Sequence, residues 1–252
     1  MKCAAALCTV SFALLSSIAQ ARTFDFKKES FASYFRGTYG TSNAKDSTFG
    51  GAVAENVTAD KSVTGAASGE FGFLFSGEKV GFRVGLEYLV PRSMTEVKFA
   101  DRNENVLATA NTKITALIPL GGLEFPAYRS GTARMIIGVG GGLAMVNVEN
   151  QYVLTTAGRT RFGLDDFTES ASGQGLLAQT YVGYEFLLTD TVTMMGDLGY
   201  RYCKVSSLKS SRSQESFSND QTEGGDLLNA DGSVRSVDLS GLFVGLGFRF
   251  YF

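Results

Sequence analysis

The sequence predicts an all-β fold: an eight-stranded antiparallel up-and-down transmembrane β-barrel with short periplasmic turns and long extracellular loops. Three observations predict it. Segments that alternate apolar with small or polar side chains recur eight times, the mark of a strand with two unlike faces. The connections between those segments are either short or long, as a barrel with its turns on one side of a membrane and its loops on the other requires. At the carboxyl end, Leu242, Val244, Leu246, Phe248, Phe250 and Phe252 form the last of these eight apolar stripes, where a soluble domain usually has a frayed polar tail.

The elements follow in order. Lys2 precedes an apolar run from Ala4 to Leu15, then Ser16-Ser17-Ile18 and Ala19-Gln20-Ala21, the pattern of a secretory signal peptide over residues 1–21 with cleavage before Arg22. That run falls short of the roughly 20 apolar residues a spanning helix needs, so residues 22–252 are expected to form one barrel domain. A first strand lies near Ser33 to Tyr39. The second carries Phe71, Phe73 and Phe75 opposite Glu70 and Gly72, and the third carries Val80, Phe82, Val84, Leu86, Tyr88 and Val90 opposite Gly81, Arg83, Gly85 and Glu87. Strand four takes Ile114, Ala116, Ile118 and Leu120 as its greasy stripe. Strand five takes Met135, Ile137, Val139, Leu143 and Met145, strand six Leu176, Ala178, Val182, Tyr184 and Phe186, and strand seven Val192, Met194, Leu198, Tyr200 and Tyr202. The last strand lies near Val237 to Phe252.

Ser76 to Lys79 and Leu188 to Thr191 read as tight turns, and Phe125 to Thr132 as a modest link. The other four links, roughly 40–66, 91–111, 150–174 and 204–236, are long and rich in Ser, Thr, Asn, Asp and Gly. Met94 to Phe99 and Asn105 to Thr109 flank Asp101-Arg-Asn-Glu104, which predicts a hairpin continuing strands three and four above the membrane. Asn147 to Leu154, with a turn near Gly158, is expected to extend strand five likewise. The polar segment from Lys204 to Ser236 has little apolar surface to bury and is expected to be the most mobile.

This architecture, together with the terminal Gly245-Leu-Gly-Phe-Arg-Phe-Tyr-Phe252, resembles the small eight-stranded outer-membrane barrels of Gram-negative bacteria typified by OmpA, OmpX and Ail. The resemblance covers the chain from about Ser33 onward and rests on no loop motif. It implies residence in the cell outer membrane, contact with outer-membrane lipid and lipopolysaccharide, and handling by the barrel-assembly machinery, with Leu246, Phe248, Phe250 and Phe252 as the C-terminal assembly signal. It also implies host or cell-surface ligands for the loops.

A secreted lipocalin-like barrel would carry a thoroughly charged outer face. Here the polar face is crowded with glycines, among them Gly72, Gly85, Gly138, Gly140, Gly199 and Gly245, which suit a narrow lumen where larger partners need room. Parity then places Arg36, Glu70, Arg83, Glu87, Glu185, Asp197, Arg201 and Arg249 inside. Four acids facing four bases suggest a salt-bridged plug. The same residues would serve an ion pathway or gate, and removal of Glu87 or Arg83 is expected to raise conductance if they close the lumen.

Other features exclude function classes. The chain has 3 cysteines; Cys3 and Cys8 lie in the leader, which leaves Cys203 without a disulfide partner. The net charge is -2 and no basic cluster stands out, so nucleic acid is not expected as a partner. Histidine is absent, which removes the Ser-His and Asp-His devices of barrel enzymes. Asp165-Asp166 and the pair Glu223 and Asp226 sit in polar loops and read as solvated charge. Gly138 to Leu143 lies within a strand, with no helix to receive a phosphate. Asn229 to Ser233 lacks the closing acid of a calcium loop, and Asn56-Val-Thr58 carries no meaning as a glycosylation site in a bacterium. No cofactor, metal or catalytic residue is therefore expected.

The leading expectation is a structural and surface-interaction protein. Phe162, Asp165, Asp166 and Phe167 are the most adhesive-looking loop residues, with a loop packed on its own rim as the alternative for them. The competing function is a narrow channel or small-hydrophobe transporter of the OmpW sort, with an outlet where Pro91 ends strand three and Pro119 and Gly121-Gly122 interrupt strand four.

Overall fold

The computed structural model describes residues 24–42, 53, 57–60, 65–91, 94–217, 220–229 and 231–252. The expected signal peptide and Asn56 lie outside the described residues. Eight long strands form the wall: β1 (Phe31–Thr41), β2 (Gly65–Ser76), β3 (Gly81–Pro91), β4 (Val106–Arg129), β5 (Ala133–Leu154), β6 (Phe167–Leu187), β7 (Val192–Val205) and β8 (Gly241–Tyr251). Each pairs antiparallel with its sequence neighbours. β8 returns to β1 with Ala32 opposite Tyr251 and Tyr39 opposite Val244, which closes the ring. Closure leaves no free edge among the staves, as a hydrocarbon solvent demands.

The outer face shows where the bilayer lies. On β5 the outward series Met135, Ile137, Val139, Leu143 is exposed and apolar, and Asn147, Glu149 and Gln151 continue it as exposed polar residues. Neighbouring strands switch at a similar height: Leu117 gives way to Lys113 on β4, Leu176 to Gln174 on β6, and Tyr202 to Lys204 on β7. At about 3.3 Å per residue and a tilt near 40°, Met135 to Leu143 rises about 20 Å, close to the apolar band of about 25 Å that such barrels present. Tyr39, Tyr88, Tyr200 and Tyr202 are exposed at its upper margin, and Phe75, Phe125, Tyr128 and Phe252 at its lower one, the positions of interfacial aromatic girdles.

β4, β5 and β6 have 24, 22 and 21 residues, about twice the 9–11 residues that crossing requires. Their upper halves stand outside the membrane. The expected hairpin is present: a strand at Met94–Ala100 pairs with β4, Phe99 opposite Ala108 and Ala100 opposite Val106, and Thr58–Ala59 pairs with its other edge.

Four features differ from the sequence reading. The stripe Ile114, Ala116, Ile118 and Leu120 points inward and is buried, whereas Leu117, Leu123 and Phe125 face lipid. A row of aliphatics looks the same whether it meets hydrocarbon or a dry core, and here the upper lumen is such a core. Second, Pro119 and Gly121-Gly122 do not break β4. The strand runs through them and pairs with β3, Pro119 opposite Leu86; its ladder to β5 passes from Leu117–Met145 to Leu120–Gly142 without a change of register. Third, the link after β5 holds a helix, α1 (Thr156–Phe162), in place of the turn expected near Gly158. The Thr155 hydroxyl accepts from Gly158 N at 3.2 Å and Gly163 ends the helix at φ 68°, an ordinary N-cap and a left-handed C-terminus.

The fourth difference is the segment expected to be mobile. Leu208 and Leu227 are buried there and, with Val237 and Leu239 just beyond it, join a core with Ala110, Ile114, Ile118, Val146, Val148 and Leu177 of the wall. Lys209–Ser210 adds a short strand to β6 and Val237–Asp238 adds one to β7. Composition understates this loop because the barrel supplies the opposite wall, so four aliphatics suffice to seat it. A smaller cluster of Phe24, Phe26, Tyr34, Leu74 and Tyr251 fills the periplasmic mouth.

Candidate functional site

Alternation of inward and outward residues brings five arginines and five acids into the barrel: Arg36, Arg83, Arg134, Arg201 and Arg249 with Glu70, Glu87, Glu124, Glu185 and Asp197, each buried. They stack in tiers. In the periplasmic tier, Glu185 accepts from Arg134 Nε at 2.7 Å and from Arg249 Nη1 at 2.9 Å through Oε2. Its Oε1 accepts from the Tyr251 hydroxyl at 2.9 Å and from Thr193 at 2.5 Å. Arg249 also forms a fork on Glu124, at 2.9 and 2.7 Å, and Tyr181 donates to Glu124 Oε1 at 2.6 Å. Forked, charge-assisted bonds are the arrangement that offsets desolvation of buried ions.

In the middle tier, Arg36 donates to Asp197 through Nε at 2.9 Å and Nη2 at 2.5 Å and reaches Glu70 Oε2 with Nη1 at 3.0 Å. Tyr34 donates to the other oxygen of Glu70. Arg83 Nε lies 3.5 Å from that oxygen, and its guanidinium stands over the Tyr181 and Tyr34 rings at 5.0 and 5.6 Å. The third tier is the pair Arg201–Glu87 beside Gln179. Above it the lumen is apolar.

Glycines on the inner face make these approaches feasible. A Cβ on Gly138 would sit 2.1 Å from Cζ of Tyr181, and one on Gly245 would sit 2.6 Å from Asp197 Oδ1. Both distances are far below contact, so neither position accepts a side chain without moving the network.

A second polar knot lies above the membrane. Glu169 on β6 and Arg235 of the last loop form an ion pair with both side chains 1% exposed. Glu169 also accepts from Ser216 at 3.3 Å and from Asn150 at 3.4 Å, and Thr112 donates to Asn150 at 2.7 Å. Arg235 donates further to Asn229 Oδ1 at 3.3 Å and to the Leu228 carbonyl at 3.2 Å. Burial alone would lower the pKa of Arg235; the Glu169 carboxylate outweighs that and holds it above its ordinary value. Burial, with Glu169 nearby, pushes Tyr152 upward. Beside this knot Phe217 packs edge-on against Tyr152, Phe162 and Phe167 at 5.0–5.1 Å.

All eight charges named from the sequence are buried inside the ring, Glu185 and Arg249 in the lowest tier, Arg36, Glu70, Arg83 and Asp197 in the middle one and Glu87 with Arg201 in the third, while Leu246, Phe248, Phe250 and Phe252 are exposed on the outer face of β8. Of the loop residues, Phe162 and Phe167 turn inward onto the rim, while Asp165 and Asp166 stay exposed and pair with Arg159 at 3.4 and 3.0 Å. The aromatics therefore belong to the cap's packing. Sequence reasoning missed Glu124, Arg134, Tyr34, Tyr181, Tyr251 and the pair Glu169–Arg235. The first two had a signal: Glu124 lies between outward Leu123 and Phe125, and Arg134 precedes outward Met135. Shifting strand four by one residue finds Glu124.

A closed ring with grease outside, paired charge inside and doubled extracellular staves has one solvent assignment. The protein is a closed eight-stranded transmembrane β-barrel. No protein-family model matches the sequence, and no curated protein matches it either. Among solved structures, Neisserial surface protein A is similar at 9% identity and a TM-score of 0.44, covering 88% of this chain and 97% of that one. Ail of Yersinia pestis is similar at 14% identity and a TM-score of 0.42, covering 88% and 99%. A major outer membrane protein from Thermus thermophilus is similar at 12% identity and a TM-score of 0.49, again covering 88% and 99%.

Proposed function

We propose that this barrel is a closed, non-catalytic scaffold that presents a folded extracellular cap for surface interaction. The observation that carries this reading is the seating of the last loop. Leu208, Leu227, Val237 and Leu239 fill the upper lumen as a core, and an eight-stranded lumen has room for side chains and little else. The tiers below act as a salt-bridged plug. A loop meant to gate a pore would be held by contacts it can exchange with water, whereas this one rests on dry apolar surface. The cap raises the turn at Asp101–Asn105 and helix α1 well above the headgroups, where Arg102, Glu104, Thr160, Arg161 and Asp165 are exposed. That rim is polar and of mixed charge, suited to hydrogen-bonded contact with a cell-surface ligand rather than to an apolar groove.

Absence of histidine from the chain supports the non-catalytic part of the proposal. The channel reading keeps one favourable observation, the two unpaired positions at Ile118 and Pro119 in the β4–β5 ladder. Ile118, Leu120 and Ala144 are nevertheless buried on its inner side, so the seam opens onto packed side chains.

Single-channel recording of the refolded protein in a planar bilayer tests closure, and a silent membrane containing folded barrel is expected. Steady current would replace the proposal with the channel reading. Binding of host cells or matrix by bacteria displaying the barrel, compared with a variant whose exposed rim residues Arg102, Arg161 and Asp165 are all alanine, tests the surface role. Equal binding would remove the rim from it.

A further inference from the structure

The outer wall is indented where the last loop leaves it. The β6–β7 ladder ends with Leu176 opposite Lys204, and pairing to β6 resumes with Ser172 opposite Lys209. Between those rungs β6 has Gly173, Gln174 and Gly175 while the other chain has one residue more, Val205 to Leu208, so that chain must buckle. The glycines set its direction. A Cβ on Gly173 would sit 2.6 Å from Val205 Cγ1, and one on Gly175 2.3 Å from the Lys204 carbonyl oxygen. Their absence of a side chain lets Val205 and Leu208 press inward and become buried, while Ser206 is left exposed outside. Beneath this overhang lies a cavity of about 530 Å³ lined by Met145, Asn147, Gln174, Ser206, Ser207 and Lys209 among others. A second, of about 410 Å³, shares Gln174 and Ser206 with it and descends over Leu143, Leu176 and Tyr202 beside Lys204. Together they form one trough across the height at which the outer face passes from Leu176 and Tyr202 to Gln174 and Lys204.

We propose that this trough binds the phosphorylated headgroup of a lipid in the leaflet on the loop side, with the first part of an acyl chain lying along Leu143, Leu176 and Tyr202. Charge complementarity selects the headgroup. Lys204 and Lys209 are exposed and form no ion pair among the described residues, and no acid lines either cavity. Asp226, bridged to Lys209 through the backbone, is engaged elsewhere: it accepts from the Ser207 hydroxyl at 2.9 Å. Asn147, Gln174 and Ser206 supply the uncharged hydrogen-bonding groups that fix a ligand's orientation, and lysines at a bilayer surface attract anionic headgroups. Continuity with the lipid face selects a lipid over a free phosphate. The lower half of the trough is exposed apolar surface, so an occupant with a hydrocarbon tail gains burial that a small anion cannot. Such a headgroup touches both the wall, through Asn147 and Gln174, and the root of the last loop, through Ser206 and Lys209, and so braces that loop from outside. The proposal does not depend on whether the lumen is closed.

Native mass spectrometry of the refolded barrel in a neutral detergent tests it, with phosphatidic acid and phosphatidylcholine of identical chains as probes. The expected result is tighter retention of phosphatidic acid by roughly twenty- to thirtyfold, since each lysine near a bilayer surface contributes roughly fivefold, and loss of that preference in the double variant Lys204→Gln with Lys209→Gln. The double variant Lys79→Gln with Lys98→Gln removes the same charge from exposed positions on the periplasmic rim and on the hairpin and should keep it. Heat-modified migration checks that each variant is folded. Equal retention of the two lipids would overturn the proposal, and so would the same outcome in both double variants. Glycerol phosphate separates the sources: displacement of phosphatidic acid by an equal concentration of it would identify a site for soluble phosphate that makes no use of the apolar half, and would overturn the lipid.

Discussion

Arg235→Met is the most informative perturbation of the cap. It leaves the Glu169 carboxylate 1% exposed with only Ser216 and Asn150 at 3.3 and 3.4 Å. Removing one partner of a buried pair costs about 3–5 kcal/mol, because the other charge stays uncompensated in a dry setting. Since about 1.4 kcal/mol is a factor of ten, local opening of the last loop should rise by roughly a hundred- to a few-thousand-fold. Trypsin reads this directly: Lys209 and Arg212 are exposed in the loop, and slow cleavage of a rapidly reclosing segment tracks its open population. The control is Asp165→Ala, which breaks a pair whose side chains are 48% and 88% exposed, worth about 0–1 kcal/mol. The double change Glu169→Leu with Arg235→Met should recover most of the loss, since an apolar pair of similar volume carries no uncompensated charge. Equal cleavage of Arg235→Met and Asp165→Ala would show that the ion pair does not hold the cap, and the core contacts of Leu208 and Leu227 would have to account for its seating alone.

Four further outcomes follow from the geometry. Gly138→Ala places a methyl 2.1 Å from the Tyr181 ring and should lower stability to urea in lipid vesicles by about 1–3 kcal/mol, the cost of overpacking; Gly131→Ala, where a Cβ meets nothing within 4 Å, should change little. Phe217→Ala should loosen Phe162 and Phe167 and speed proteolysis around α1, at somewhat less than the about 3–5 kcal/mol of a fully buried phenylalanine because Phe217 is half-buried. On the closed-lumen proposal, Arg83→Ala and Glu87→Ala should each remain silent in planar bilayers, since the bonds of Arg249 to Glu124 and Glu185 and of Arg134 to Glu185 stay in place; current from either would place the barrier in their layer. Phe252→Ala, at a site 68% exposed, should hardly alter the stability of refolded barrel yet reduce its assembly in cells, measured as heat-modifiable protein in outer-membrane fractions.

Much of this protein is legible in its sequence because a barrel's lipid face and lumen face alternate with period two. On β2, β3, β7 and β8 the outward aromatics and aliphatics face glycines and paired charges, so parity alone assigns Glu70, Arg83, Glu87, Asp197, Arg201 and Arg249. β4 defeats the same reasoning. Ile114, Ala116, Ile118 and Leu120 are apolar on one face and Leu117, Leu123 and Phe125 on the other, so hydropathy cannot say which meets lipid. Glu124 is lost with that choice, whereas Arg134, which shares its tier from β5, stands one residue before outward Met135 and is within reach of parity. The last loop defeats composition in another way. Its few aliphatics are too sparse to form a core alone, and only contact with wall residues distant in sequence makes Arg235 and Leu227 structural.

The sequence by itself determined the number of staves, their order, which face most of them turn to the membrane, and that charge in the lumen must be balanced, because each follows from local alternation and from the cost of exposing backbone or unpaired charge to hydrocarbon. Tertiary structure alone decided which acid meets which base, that the upper lumen is apolar while the tier below it is polar, and that the longest loop packs its aliphatics against the inner wall. Those outcomes depend on contacts across the ring between residues more than a hundred positions apart, such as Arg249 with Glu124 and Arg201 with Glu87, and no local pattern encodes the distance at which two strands finally face each other.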